Sequence, residues 1–264
     1  MLIVAERINS SRKPIFQAIE AKDGDFIRSE ARAQAKAGAH YIGVNAGSFP
    51  EREAEYLCWL VEIVQEATEL PICIDSPNPE AVAAAMEVLR RPTMINSVSP
   101  EEKRLAGMLP LVKKHKAKVV ALCEEGASHV PSAEDKVRVA GQLIKTLTQE
   151  GIPLDDIYID PLVYPLATDT RSALSTLNAI EAIMRSFPDV HTICAISNVS
   201  FGLPLRRLLN RTFLVAAMFH GLGATILDPT DRELMASIVA AETLLGKDEY
   251  CLKYIEAYQK GTLG

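Results

Sequence analysis

The chain has 264 residues, of which 48% are hydrophobic, enough to bury a sizeable core in one α/β barrel domain spanning 1–264. A formal net charge of −6 argues against broad nucleic-acid binding by counterion release. No apolar run is long enough to cross a membrane, and the four-residue apolar stretch in MLIVAERINSSRK is too short for a signal-peptide core, so a cytoplasmic protein is expected.

Short apolar runs alternate with longer amphipathic segments along the chain. Strands are predicted at 2–5, 39–44, 72–74, 93–95, 118–122, 157–159, 192–196 and 224–227. Helical periodicity fills segments such as 54–70 and 135–151, the second stopped by Gly151 and Pro153. Alternation of this kind implies parallel strands with right-handed crossovers, and eight units suit a (β/α)8 TIM barrel. An open doubly wound sheet is the weaker alternative, because no GxGxxG follows the first strand. Residues 247–260 read as an extra C-terminal helix, with Tyr250, Tyr254 and Tyr258 available for an interface or for closing the barrel's own base. The tail KGTLG is expected to fray.

The five cysteines are scattered, with no CxxC, and the histidines form no HExxH or close pair. Cys73, Cys123 and Cys194 fall within apolar runs and read as small hydrophobes, so no protein-bound metal is expected. Trp59, on an amphipathic stretch, reads as core.

The predicted strands run into Glu6, Asn45, Asp75, Asn96, Glu124, Asp160, Asn198 and Asp228. In a barrel these positions meet at the C-terminal mouth, where barrel enzymes keep their sites. Any one of them could cap the following helix. Eight together point to a mouth that hydrogen-bonds something polar. There is no GxSxG motif and no strand-end lysine for a Schiff base. Carboxylates beside carboxamides suit a ligand that alternates donors and acceptors, such as a pterin ring.

The segments ERIN (6–9), CIDS (73–76), MINS (94–97), YIDPL (158–162), ISNVSFGLP (196–204) and NRTFL (210–214) resemble the methyltetrahydrofolate–corrinoid methyltransferases of the pterin-binding barrel superfamily. The resemblance covers essentially the whole chain. It implies methyl transfer between N5 of tetrahydrofolate and the cobalt of a corrinoid (cobalamin) carried by another protein, in a homodimer. The co-substrate is then tetrahydrofolate or 5-methyltetrahydrofolate. Asp75, Asn96 and Asp160 match the positions that hold the pterin, Ser197 and Arg206 match positions beside the ligand, and Asn198 matches the asparagine near N5. Asn198 is thereby expected to stabilise the transition state electrostatically, since an amide does not titrate usefully, with the proton coming ultimately from solvent. Asn45, Glu6 and Glu124 are expected either to touch ligand or to prop neighbours, and Phe201 either to wall the pocket or to pack beneath its loop. The segment CEEGASHVP departs from the family pattern and is expected to face the corrinoid partner. AERIN stands in place of the commoner GERIN. Dihydropteroate synthase is a rival within the superfamily, but strand one leads into RINSSRKPIF and not into that enzyme's TPDSF-like loop. A folate-binding accessory protein without catalysis is a second rival. No residue encodes the direction of transfer.

Overall fold

The computed structural model describes residues 1–124 and 131–263. Eight parallel strands close into one barrel in chain order: β1 (Leu2–Asn9), β2 (Tyr41–Asn45), β3 (Ile72–Asp75), β4 (Thr93–Val98), β5 (Lys118–Leu122), β6 (Ile157–Asp160), β7 (His191–Ala195) and β8 (Ala224–Leu227). β8 pairs back onto β1, so no strand edge is left open. After β1 come α1 (Lys13–Glu20) and α2 (Gly24–Lys36). The other strands are followed in turn by α3 (Glu53–Ala67), α4 (Pro79–Glu87), α5 (Glu102–His115), α6 (Ala133–Gln149), α7 (Ser172–Ser186), α8 (Arg206–Phe219) and α9 (Arg232–Leu244). A last helix, α10, spans Leu252–Gln259.

Strand side chains alternate between two cores. Val4, Cys73, Met94, Val120, Tyr158 and Ile193 cluster inside the barrel. Their sequence neighbours Ile72, Ile74, Ile95, Val119 and Ile157 pack outward against the helices. Trp59 joins this outer layer at its edge, and Cys73, Cys123 and Cys194 are buried free thiols. β1 and β2 approach so closely that a Cβ on Gly43 would stand 2.6 Å from the Ala5 carbonyl oxygen, which restricts that position to glycine.

Local signals set the helix ends. Ser132 and Asp135 form a reciprocal capping box at the start of α6. At its end Gly151 takes φ +84°, with Ile152 N–H donating to Leu147 O and Gly151 N–H to Thr148 O. Asp23, Asn78 and Asp231 accept from the first turns of α2, α4 and α9.

Beyond one- or two-residue differences at other strand ends, three departures from the sequence expectation shape the site. β1 runs on to Asn9 through a register shift between Ala5 and Ile8, because Ile8 re-enters the apolar layer after the polar Glu6–Arg7 pair. β4 continues to Val98 through another shift, next to a cis Asn96–Ser97 peptide bond. β7 stops at Ala195, one residue early, where the chain turns into a 3-10 helix, Ile196–Ser200. The C-terminal helix is also shorter than 247–260: a 3-10 turn at Glu249–Cys251 precedes it, with Tyr250 and Cys251 at positive φ. Asp248 caps α10 by accepting from Lys253 and Tyr254 N–H. α10 packs against α9, not under the barrel, and none of its residues is buried. Among the described residues no helix is long and apolar enough to cross a membrane.

Candidate functional site

A cavity of about 780 Å³ opens at the C-terminal mouth of the barrel. That volume is ordinary for a small-molecule site. All the expected strand-end residues line it except Glu124, which follows β5 by two residues and is exposed. The neighbouring residues 125–130, most of CEEGASHVP, lie outside the described residues.

On one side of the cavity β3 and β4 place Asp75 directly beside Asn96. Asn96 Nδ2 donates to Asp75 Oδ1 at 3.1 Å, and Asn45 Nδ2 donates to Asp75 Oδ2 at 3.1 Å. Asn45 has nothing to spare for a ligand: its Oδ1 accepts from Ser10 Oγ and Gly47 N–H, and its Nδ2 also reaches the Asp75 carbonyl. It props Asp75. Burial raises the Asp75 carboxyl to about 6 against the lowering effects of the Asn45 hydrogen bond and the Arg104 cation. Arg104, from α5, holds the Ser97 carbonyl at 3.0 Å and its hydroxyl at 2.6 Å. Below the loop, Glu53 accepts from Ser76 Oγ at 2.6 Å and Asn78 Nδ2 at 3.2 Å, which fixes the chain just after Asp75.

Asp160 ends β6 and is only 6% exposed. One oxygen accepts from Leu162 N–H at 2.8 Å, across a turn in which Leu162 takes φ +57°. Among the described residues nothing bonds the other oxygen. Burial pushes this carboxyl up to about 7, while the Leu162 N–H and the Lys136 cation pull the other way. Lys136 is itself fully buried on α6, donating to Leu162 O and Thr176 Oγ1 at 2.9 Å each. Burial drops its pKa to about 8.

The opposite rim is the 3-10 turn Ile196–Ser200. Ser197 Oγ donates to Glu6 Oε2 at 3.1 Å. Arg206, at the start of α8, clamps the turn by donating Nη2 to the Ser197 carbonyl at 2.7 Å and Nε to Ser200 Oγ at 3.1 Å. Gly202 follows at φ +82°, a backbone conformation natural to glycine. Asn198 lines the cavity from this turn with an exposed side chain, which has no hydrogen-bond partner among the described residues. Phe201 is 64% exposed at the rim with the Arg206 guanidinium 5.7 Å from its ring, so it walls the mouth and does not pack beneath the loop.

Glu6 and Asp228 share the β1–β8 side of the mouth, and their environments differ. Asp228, though desolvated, stays below the usual range because Thr230 and Arg7 hydrogen-bond it. Glu6 is raised to about 7, chiefly by burial. Sequence reasoning missed Asn9, Arg12, Ser97 and Arg104 in the lining. The ERIN and MINS segments already contained Asn9 and Ser97, but ending the strands early set both aside. Among the described residues no three His, Cys, Asp or Glu side chains are grouped to hold a metal ion.

Fold and cavity together define a closed (β/α)8 barrel with its acids and amides gathered at the C-terminal mouth. The chain belongs to the pterin-binding enzymes: the family profile described as pterin binding enzyme matches residues 5–228. It is 40% identical to the methylcorrinoid:tetrahydrofolate methyltransferase of Eubacterium limosum, over 100% of this chain and 98% of that one. It is also 31% identical to methionine synthase of Mycobacterium tuberculosis across 86% of this chain, although the match occupies only 20% of that longer protein. Among solved structures, dihydropteroate synthase from Xanthomonas albilineans in complex with 7,8-dihydropteroate superposes with a TM-score of 0.69 over 93% of this chain and 92% of that one, at 17% identity. The Coxiella burnetii dihydropteroate synthase in complex with pteroic acid gives the same TM-score at 14% identity, over 92% and 94% of the two chains. Identities that low speak for the shared fold alone.

Proposed function

We propose that this chain is a methyltransferase that moves a methyl group between N5 of tetrahydrofolate and the cobalt of a corrinoid, and that in the cell it runs from methylcorrinoid to folate. The observation that carries the reading is the full-length, 40% identity to a methylcorrinoid:tetrahydrofolate methyltransferase, in a chain whose mouth holds the acids and amides such a substrate needs. The direction follows the name of that relative.

In this reading Asp75, Asn96 and Asp160 hold the pterin. The open oxygen of Asp160 and the Oδ1 of Asn96 accept from its amino and ring N–H groups, while Asn45 and Arg104 keep Asp75 and Ser97 in place. Asn198, on a turn clamped by Arg206 and tied to Glu6 through Ser197, meets N5. Its amide stabilises the charge that builds on N5 as the new C–N bond forms. The corrinoid is a substrate presented at the open rim by a partner protein, beside Phe201 and Leu205, which are 64% and 79% exposed. Bringing N5, methyl and cobalt into line is the larger part of the catalytic task.

Residues 1–264 act as one pterin-binding domain in the cytoplasm. A homodimer is favoured by Tyr250, Leu252, Ile255 and Tyr258, which leave an apolar face on and just before α10 exposed. Dihydropteroate synthesis rests only on fold likeness and is not favoured.

The test is an anaerobic mixture of purified protein, methylcobalamin and tetrahydrofolate, followed by the absorption of cob(I)alamin. Growth of that absorption supports the reading. Folate binding without transfer, with free methylcobalamin and with a methylated corrinoid protein alike, would replace it with a folate-binding accessory role.

A further inference from the structure

Transfer to folate releases a proton from N5, and the pterin-holding groups are poor receivers for it. Asp75 already accepts from two amides. Asp160 is needed as a carboxylate for the ring, and Asn198 does not titrate. Glu6 remains. It lies at the register break of β1, lines the same cavity, and accepts a hydrogen bond from Ser197, the residue next to Asn198 on one 3-10 turn. Acid and amide are thus held by a single short element.

The groups facing Glu6 come from three other places. Asp228, at the end of β8, is engaged by Arg7 and Thr230. Arg12, from the β1–α1 connection, donates to the Arg7 carbonyl, and Arg206 on α8 donates to Ser197 O and Ser200 Oγ. Both arginines are near enough to favour the charged form of Glu6, yet neither bonds its carboxylate. Among the described residues Glu6 therefore sits in a desolvated pocket with one hydroxyl donor and no cation bonded to it. An ordinary glutamate is ~0.2% protonated at pH 7. At the value of about 7 that burial gives Glu6, it is half protonated, and so equipped to accept a proton in one direction and supply it in the other.

We propose that Glu6 is the residue that takes up the N5 proton during methyl transfer to tetrahydrofolate and returns it in the reverse reaction. The inference rests on the methyltransferase reading above. As the N5 lone pair forms the N–CH3 bond, the carbon–cobalt bond breaks with its electron pair left on cobalt, and the N5–H proton passes to the Glu6 carboxylate. Methylcob(III)alamin, tetrahydrofolate and ionised Glu6 become cob(I)alamin, methyltetrahydrofolate and neutral Glu6. Solvent then resets the acid.

The experiment is single-turnover transfer from methylcobalamin to tetrahydrofolate between pH 5.5 and 9. Folate is kept saturating at each pH, so that binding through Asp160 does not enter the profile. Wild type is expected to speed up about tenfold between pH 6 and pH 8, as the ionised fraction of a group near 7 rises. In Glu6→Gln the rate falls ~10²-fold or more and the inflection disappears, while folate affinity measured on the same sample stays within about threefold. Ser197→Ala removes the hydrogen bond that favours ionised Glu6, so its inflection moves to higher pH. A Glu6→Gln enzyme with wild-type rate and profile would overturn the proposal. If Glu6→Gln does not fold, an unmoved inflection in Ser197→Ala overturns it instead. Wild-type protein that binds folate but transfers no methyl would remove the underlying reading, a failure recognisable because it does not depend on Glu6.

Discussion

Tetrahydrofolate binding should weaken about tenfold between pH 8 and pH 6, and Asp160 is the cause. Its carboxyl sits near 7 because burial penalises the charged form more than Leu162 N–H and Lys136 favour it. Pterin N–H groups need an acceptor, so the ligand binds the ionised form. That form makes up about nine-tenths of the protein at pH 8 and one-tenth at pH 6, a ratio near ten and about 1.4 kcal/mol of binding free energy. Asp75, near 6, adds a further factor of about two at the acidic end. Asp160→Asn replaces an acceptor by a mixed donor–acceptor and loses a charge-assisted bond, for a deficit of about 1.5–3 kcal/mol, or roughly 10–150-fold in Kd. The remaining pH dependence above pH 6.5 then flattens. Calorimetric titration under nitrogen at fixed ionic strength reads both effects. Wild-type affinity that is flat from pH 6 to 8, or an Asp160→Asn protein that keeps wild-type affinity and slope, would refute the assignment.

Asn198→Ala should slow methyl transfer ~10²–10³-fold in single-turnover assays while folate affinity changes much less, as for loss of one preorganised donor. Lys136 supplies a cation that lowers Asp160, so Lys136→Met should move the midpoint of pH-dependent folate binding upward, which the same titrations detect. Lys136 is also held near 8, below its unfolded value, so between pH 8 and 10.5 the unfolded chain binds more protons and wild type gains stability relative to Lys136→Met. Paired denaturant melts should show that relative gain approaching about 3 kcal/mol, and a constant difference would contradict it. For the proposed homodimer, Leu252, 63% exposed on α10, gives a direct test: Leu252→Asp should run as a monomer in sedimentation velocity with transfer activity retained.

Strand–helix alternation and apolar runs were enough to place eight strands within a few residues, because the strands of a barrel are buried on both faces and read as continuous apolar stretches. Ending each run at its first acid or amide also worked where the strand stops there, as at Asp75 and Asp160. It failed at β1, where Ile8 and Asn9 continue the ladder past Glu6 through a register shift that local polarity hides. Asn198 was legible as a mouth residue, but the 3-10 turn that presents it depends on Arg206 and Ser200, which reach back from eight and two residues later in the chain. Asn45 and Asp75 look alike as strand-end polar residues; only the three-dimensional hydrogen-bond inventory shows that the first is spent on the second. The positions of Arg104 and Lys136 come from helices, and no strand-end pattern could point to them. The perturbed acidity of Glu6 is likewise a product of burial, with the Asp228 carboxylate adding to it, and neither is visible in the local sequence.

The decisive measurement uses methylcobalamin carrying a 13C-labelled methyl group, mixed anaerobically with tetrahydrofolate and the wild-type protein or Asn198→Ala, with the label followed by NMR. The label is expected to leave cobalt and appear on N5 of the folate with wild type, and to do so far more slowly with Asn198→Ala. Label that stays on cobalt with wild-type protein, while folate binds and the corrinoid is supplied on its carrier, would contradict methyl transfer at this mouth.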